Sequence, residues 1–549
     1  MARFIGSLRY VFFVIPILFL ASFFFYPLLN IFRITLTSDA VSELFSNLFY
    51  WKTIWFTFWQ ATLSTILTIL VGMPAAYLFA RFDFRGKGLF KALATVPFVL
   101  PTVVVAAAFR SLLGPSGPIN TSLVGLFDLS RAPIRLEQTI TIILIAHMYY
   151  NIAVIIRLVG GYWAKLNPRM SEAARVLGAS RSKAFFSVTL PLLRPPLLSA
   201  AILVFLFTFT SFGVILLLGG PSFSTIETEI YQQYVTFLKP DVAAVLSLLQ
   251  IFFTFLLLVL YTYFQRRSTV PLDYRPQKST QRKAQGLAER LLVWLLVLGY
   301  SIILLIPLLA LLLQSVQDRN GNFTLAFYRA LPESRRGSIL FISPFEAVIN
   351  SLGYAFLTMI VASILGLASA WLLSRPWKGR GILEPAFMLP LGASAVTLGF
   401  AYVVSLKNMR TSPALVLIAH TLVALPFVVR SVLPVLQGIR PNLREAAAVH
   451  GASPQRVWRE IDLPIVGRAL LVAAVFAFTI SMGEFGATSF IVRPNSGFLT
   501  LPIAIQRYLS QPGSLNYGQA LALSAILMAV CTIGFVAIER FRYADIGEF

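Results

Sequence analysis

Apolar stretches recur along the whole chain, separated by short polar segments. Each runs to about twenty residues or more, enough to cross a hydrocarbon core of about 30 Å as a helix. About twelve spans are predicted at that length. The first six lie near 9–32, 53–80, 90–111, 139–159, 193–219 and 241–264. The second six lie near 290–314, 345–374, 382–405, 413–437, 466–492 and 517–538. The alternating segments of a membrane barrel are missing from them. The predicted fold class is an all-α polytopic membrane protein.

The polar segments differ in charge. Segments 81–91, 165–194, 265–290, 375–380 and 440–468 are rich in Lys and Arg, and basic loops stay on the cytoplasmic side. This predicts that both termini are cytoplasmic. One loop, 315–344, runs against the rule with Arg319, Arg329, Arg335 and Arg336 on the outer side; long loops obey it less strictly. At the N-terminus, Arg3 and Arg9 precede an apolar stretch that continues past Phe25 without a small-residue cleavage site. An uncleaved first span is expected there.

The two sets of spans repeat each other. Leu144-Ile145-Ala146-His147 returns 273 residues later as Leu417-Ile418-Ala419-His420, and Arg430 follows Arg157 at the same offset. Phe212-Gly213 and Phe485-Gly486 share it too. Earlier in each half the offset is 294, from Gly72 and Ala76 to Gly366 and Ala370. The difference predicts a longer outer loop in the first half, around Leu113 to Gln138. Between the halves runs a polar, basic linker, 265–289, broken by Pro271 and Pro276. The predicted organisation is therefore a six-span domain at 1–264, the linker, and a second six-span domain at 290–549. An even number of spans makes the repeats parallel, with a pseudo-two-fold axis along the membrane normal.

Composition agrees with a membrane protein: 57% of the 549 residues are hydrophobic and only 12% charged, against about 25% charged in soluble domains. The net charge of +23 sits in the short loops, so orientation in the membrane accounts for it better than nucleic acid does. The single cysteine, Cys531, excludes an intrachain disulfide.

The strongest chemical signal lies between the fourth and fifth spans of each half. Glu172-Ala173-Ala174, Gly178 and Leu190-Pro191 in the first half answer to Glu445-Ala446-Ala447, Gly451 and Leu463-Pro464 in the second, all at an offset of 273. Asn167-Pro168 and Arg440-Pro441 mark helix starts, since proline suits the first turn. The alanines leave one face smooth, so a partner can approach the backbone closely. The glutamate falls in the first turns, where the helix dipole favours a carboxylate, and it can pair with a partner's cation. Gly178 and Gly451 suit a C-cap turn. A second short helix then runs to Leu-Pro. The result is an elbow of two short helices, and the alternative is an interfacial helix resting on lipid.

The pattern Glu-Ala-Ala, three residues, Gly, nine residues, Ile-x-Leu-Pro resembles the signature of permeases of binding-protein-dependent ABC importers. The second copy matches fully; the first has Val188 for the isoleucine. As two such domains fused through a linker, with Leu218-Gly219-Gly220-Pro221 and Thr225-Ile226-Glu227 in one half and Ser481-Met482-Gly483-Glu484-Phe485-Gly486 in the other, the chain most resembles the ferric-iron and thiamine permeases. The resemblance implies that the elbows are coupling helices for a cytoplasmic ABC ATPase dimer, with Glu172 and Glu445 as the coupling glutamates. It also implies an extracytoplasmic solute-binding protein, a bacterial or archaeal cytoplasmic (inner) membrane, and ferric iron or thiamine as solute. The chain has no Gly-x-x-x-x-Gly-Lys-Ser/Thr phosphate loop of its own, so its energy is expected from a partner; it is expected to be no enzyme and to need no cofactor.

Glu484 lies well inside a predicted span, and its counterpart at offset 273 is Ser211. An intramembrane acid faces a cavity or a partner by default, so these two are candidate pathway residues. The alternative for Glu484 is a carboxylate bonded to backbone at a bend near Gly483 or Gly486. His147 and His420 lack further ligands at helical spacing, which favours interhelical hydrogen bonds over a metal site. Phe205, Phe207, Phe209 and Phe212 favour packing. The rival class is a secondary transporter, which would need paired intramembrane charges; Glu484 is the chief one visible in the sequence.

Overall fold

A computed structural model describes residues 14–36, 39–267, 280–318, 320–334, 338–375, 377–493 and 496–543. Arg3, Arg9, residues 268–279 of the linker, and Arg319, Arg335 and Arg336 lie outside the described residues. Among the described residues there are no strands, only two isolated bridges. Eleven helices are long and apolar enough to cross a membrane, or twelve if one bent pair counts as a single span. Ser and Asn side chains start several of them: Asn47 accepts from the amide of Phe49 at 3.0 Å, and Ser343 from that of Glu346 at 3.3 Å. Such caps satisfy amides that have no partner inside the helix.

The repeat is visible element by element, but two spans in each half are broken rather than continuous. In the second half the third span bends by 98° between Arg380–Leu391 and Ala395–Ser405. In the first half Lys87–Val99 stops at Leu100-Pro101, and the chain resumes as Thr102–Leu113. The fifth spans break next: Leu190–Phe209 ends before a non-helical turn at Ser211 and Phe212, and Leu463–Gly483 ends before Glu484 and Phe485. Packing fixes these breaks. A Cβ on Gly213 would sit 2.2 Å from the Thr102 hydroxyl, and one on Gly399 2.6 Å from the Cα of Ala487. The first half's longer loop holds an extra helix, Pro118–Phe127, tied down by Asn120, whose amide donates to Gly114 and Ile134 carbonyls at 2.9 and 2.8 Å.

The halves embrace. The first span of each half packs on the other half: Tyr26–Leu36 against Ala395–Ser405, and Gly286–Ser315 against Thr102–Leu113. Tyr149 donates to the Leu304 carbonyl at 2.9 Å and Tyr300 to that of Val71 at 2.5 Å. The described end of the linker is fastened to the first half as well. The Arg282 amide donates to the Arg81 carbonyl and its carbonyl accepts from the Asp83 amide, both at 3.0 Å, and Arg282 clasps Glu289 with two bonds of 2.6 and 2.7 Å.

Candidate functional site

Two elbows project from one face. The first is Arg169–Val176 and the second Pro441–Val449, and neither helix has a buried residue. Each ends in the same turn. Gly178 (φ +90°) donates to Arg175 and Ala179 to Ala174, both at 3.0 Å. Gly451 (φ +79°) donates to Ala448 at 3.0 Å and Ala452 to Ala447 at 2.9 Å. These paired bonds close the helix with a left-handed residue, where glycine costs least. Glu172 stands in the first turn, whereas Glu445 stands just beyond it because proline begins that helix earlier. Both glutamates are exposed, as are Ala173 and Ala446; Ala174 and Ala447 are half-buried. The tips are apolar: Val176 is 87% exposed and its counterpart Val449 86%.

The second arm of the elbow is not a separate short helix. Arg181–Ala184 passes through a wide π turn, Phe185–Thr189, straight into the span beginning at Leu190, and Pro454–Val457 does the same through Trp458–Asp462. Pro191 and Pro464 explain the widening. A proline ring clashes with the carbonyl four residues back, and a π turn relieves the clash without ending the helix. Aromatic contacts anchor each arm to its half: Trp163 lies 5.9 Å from Phe185 and 5.3 Å from Tyr77 between ring centroids, and Trp371 lies 6.1 Å from Trp458. The second elbow carries two internal ion pairs, Arg444 to Asp462 at 2.8 Å and Arg456 to Glu460 at 2.9 Å; Ser171 and Thr189 hold the positions of the first pair in the first elbow.

On the pseudo-two-fold axis, Phe212 and Phe485 stack at 5.3 Å with an interplanar angle of 29°. A cavity of about 420 Å³ lies against this pair, on the side of the elbows. Six aromatic rings line it, from Phe98, Tyr150, Phe207, Phe212, Phe476 and Phe485. Ser211 and Glu484 line it too, so both candidate pathway residues meet one space. Glu484 is nevertheless fully engaged. Its oxygens accept from the Ala487 amide at 2.7 Å, the Thr488 amide at 3.0 Å and the Thr488 hydroxyl. The histidines join helices: His147 bonds Ser64 at 3.0 Å and Ser211 at 2.9 Å, and His420 bonds Ser481 at 2.7 Å and Thr488 at 2.9 Å. Phe209 packs in the core, while Phe207 and Phe212 reach the cavity.

The family model for binding-protein-dependent transport system inner membrane components matches residues 68–270 and 362–542. The chain belongs to this family. The thiamine transport system permease protein of Escherichia coli (strain K12) is 26% identical over 502 residues, covering 90% of this chain and 89% of that one. The protein of the same name from Brucella abortus (strain 2308) is 26% identical over 508 residues, covering 90% and 88%. The ferric transport system permease protein of Actinobacillus pleuropneumoniae is 24% identical over 484 residues, covering 85% and 67%. A solved bacterial alginate ABC transporter chain matches at 20% identity with a TM-score of 0.40, covering 48% of this chain and 96% of that one. The protein is thus a multi-pass inner membrane permease of the ABC importer class, with two family domains in one chain.

Two interior carboxylates of the permease escape a reading of hydropathy. Glu227 and Glu229 are fully buried, so Glu484 is not the chief interior acid. Their helix, Ile226–Val235, is short and polar and falls in what reads as an outer loop, yet it folds back into the bundle. Glu227 lines the central cavity, accepting from Gln250 at 2.9 Å and, across the halves, from Ser394 at 3.1 Å. The one local sign of this helix is its capping box, Thr225 with Thr228. The exposed Val176 and Val449 were equally hidden, because an apolar residue beside Glu-Ala-Ala looks like packing.

Proposed function

We propose that the permease carries a small organic cation inward through the cavity between its halves. Two elbows dock on a cytoplasmic ABC ATPase dimer, and an extracytoplasmic binding protein delivers the solute. The observation that carries the coupling role is the pair of equivalent, apolar-tipped elbows, each presenting a valine and a glutamate to solvent. Exposed apolar groups at matched sites call for a partner surface. On this reading the basic loops, the linker and both termini are cytoplasmic, and residues 1–264 and 290–549 act as two domains. The Phe212–Phe485 pair is the outer gate.

The cavity lining supports the solute class. It combines two carboxylates and six aromatic rings, with no Lys or Arg among the described lining residues. Aromatic faces and carboxylates together suit an organic cation. Thiamine, for which the Escherichia coli and Brucella relatives are named, has that chemistry. Proteoliposomes holding the permease and its ATPase should accumulate labelled thiamine only with internal ATP and added binding protein. Uptake that is equal without ATP would overturn the importer mechanism; ATP-driven uptake of ferric iron but not thiamine would overturn the solute.

Orientation has its own test in a Cys531→Ser background. In whole cells an impermeant thiol reagent should label Ser222→Cys, in the turn after the fifth span, and spare Ser182→Cys, in the first elbow; both positions are exposed. The reverse pattern would invert the topology.

A further inference from the structure

A second pocket, of about 790 Å³, lies between the halves on the face away from the elbows. Its position follows from the chain: apart from Ile34 at the end of the first span, the residues that line it come after the third and fifth spans have crossed from the elbow side. Tyr231, Tyr234 and Phe490 form an aromatic floor, with ring centroids 5.4 Å apart for Tyr231–Phe490 and 5.9 Å for Tyr234–Phe490. Tyr231 also meets Phe212 at 5.5 Å. The floor of this pocket is therefore the back of the Phe212–Phe485 pair that roofs the central cavity.

The walls have the opposite character to that cavity. Lys407, Arg410, Arg493 and Arg507 line the pocket, with Asp241 as its one carboxylate. Backbone carbonyls hold two of the guanidinium groups in place: Arg410 donates to Val403, and Arg507 to Val492 at 3.3 Å. All four cations come from the second half, while the first half supplies Tyr231, Tyr234 and Asp241. They are not a relic of duplication. Counted from the matched caps Pro101 and Ser394, the counterparts of Lys407 and Arg410 are Gly114 and Gly117; counted from Thr225 and Thr500, that of Arg507 is Gln232. Nor does membrane orientation account for them, since the positive-inside bias acts against Lys and Arg on this face.

We propose that this pocket is an oxyanion-binding vestibule, in which Lys407, Arg410, Arg493 and Arg507 receive carboxylate groups presented at the outer face. Four cations converging on one cavity attract such groups and form charge-assisted bonds with them. A cationic solute is repelled here and reaches the carboxylates only below the aromatic floor. The oxyanions are acidic side chains of the docking binding protein, since a cationic solute is not what four cations would hold. The placement at the outer face rests on the orientation proposed above; the binding itself does not.

The test is calorimetric titration of the permease in lipid nanodiscs, where both faces are accessible. Hexaglutamate and inorganic pyrophosphate are the probes, each at low and high salt. Basic loops elsewhere bind both probes equally in wild type and variant, so the vestibule's share is the difference between them. Lys407→Gln with Arg493→Gln should weaken saturable binding by about tenfold at low salt, and high salt should erase most of the difference. Lys407→Arg with Arg493→Lys should bind as wild type does, which separates lost charge from lost fold. Preference for hexaglutamate supports protein carboxylates as the occupant, and preference for pyrophosphate would overturn that assignment in favour of a small anion. Equal binding by wild type and the Gln variant, for both probes, overturns the proposal. Because the titration needs neither ATPase nor transport, its failure is distinct from a failure of the importer reading.

Discussion

Permease bearing Glu172→Ala together with Glu445→Ala will insert normally but will not support ATP hydrolysis by its ATPase partner in response to loaded binding protein. Each glutamate is exposed at the base of an elbow whose tip is an exposed valine. In isolation neither carboxylate is buried, and a docked ATPase would cover both. Losing one member of a buried ion pair costs about 3–5 kcal/mol, and partial exposure brings that toward about 1 kcal/mol. Even at about 1 kcal/mol each, a single change weakens docking roughly fivefold and the two together about thirtyfold. Glu445→Lys should be worse than Glu445→Ala, because it sets a cation against the partner's cation. The measurement is recovery of ATPase with tagged permease, paired with stimulated hydrolysis in proteoliposomes. A double variant that keeps both at the wild-type level would remove the elbows from the coupling path.

How much of this was legible in the sequence depends on what each feature asks of the chain. Spans announce themselves because a bilayer demands length and apolarity and little else. The duplication was legible because its markers, His147 with His420 and Phe212 with Phe485, keep one offset through several elements. Of the breaks in the third and fifth spans, only the one at Glu484 was, as a carboxylate bonded to backbone at a bend near Gly483 or Gly486. Gly213 and Gly399 look ordinary within apolar segments, and only the approach of Thr102 and Ala487 shows why no larger residue fits. The Leu-Pro pairs misled in the other direction, suggesting a helix end where a π turn carries the helix on. The burial of Glu227 was hidden for a different reason: a short polar helix has no hydropathy signal, and the burial comes from partners such as Gln250 and Ser394, 23 and 167 residues away.

Those partners make Glu227 the cleaner probe of the central cavity. Glu484 faces donors on both oxygens, the amides of Ala487 and Thr488 and the Thr488 hydroxyl. In Glu484→Gln one of those donors meets an amide NH2 instead of an acceptor. An unsatisfied buried group costs about 1–3 kcal/mol, so this variant should unfold at lower temperature as well as transport poorly. Glu227 differs. A glutamine there can still accept from Gln250 with its carbonyl and donate to the Ser394 hydroxyl, which rotates to receive it. Burial favours the neutral form of Glu227, so a bound cation is what would draw it into the carboxylate; Glu227→Gln removes that response while keeping the bond that spans the halves. If the cavity holds an organic cation through its carboxylates, this variant should keep its unfolding temperature and its ATPase partner. Its apparent KM for uptake should rise about tenfold, the loss of one charge-assisted contact worth roughly 1.5 kcal/mol. Glu227→Gln with Glu484→Gln should nearly abolish uptake. The decisive comparison is uptake by Glu227→Gln and wild type across a range of solute concentrations. Coincident curves, with unfolding temperatures also unchanged, would mean that the cavity does not read positive charge, and the solute class proposed for it would fall.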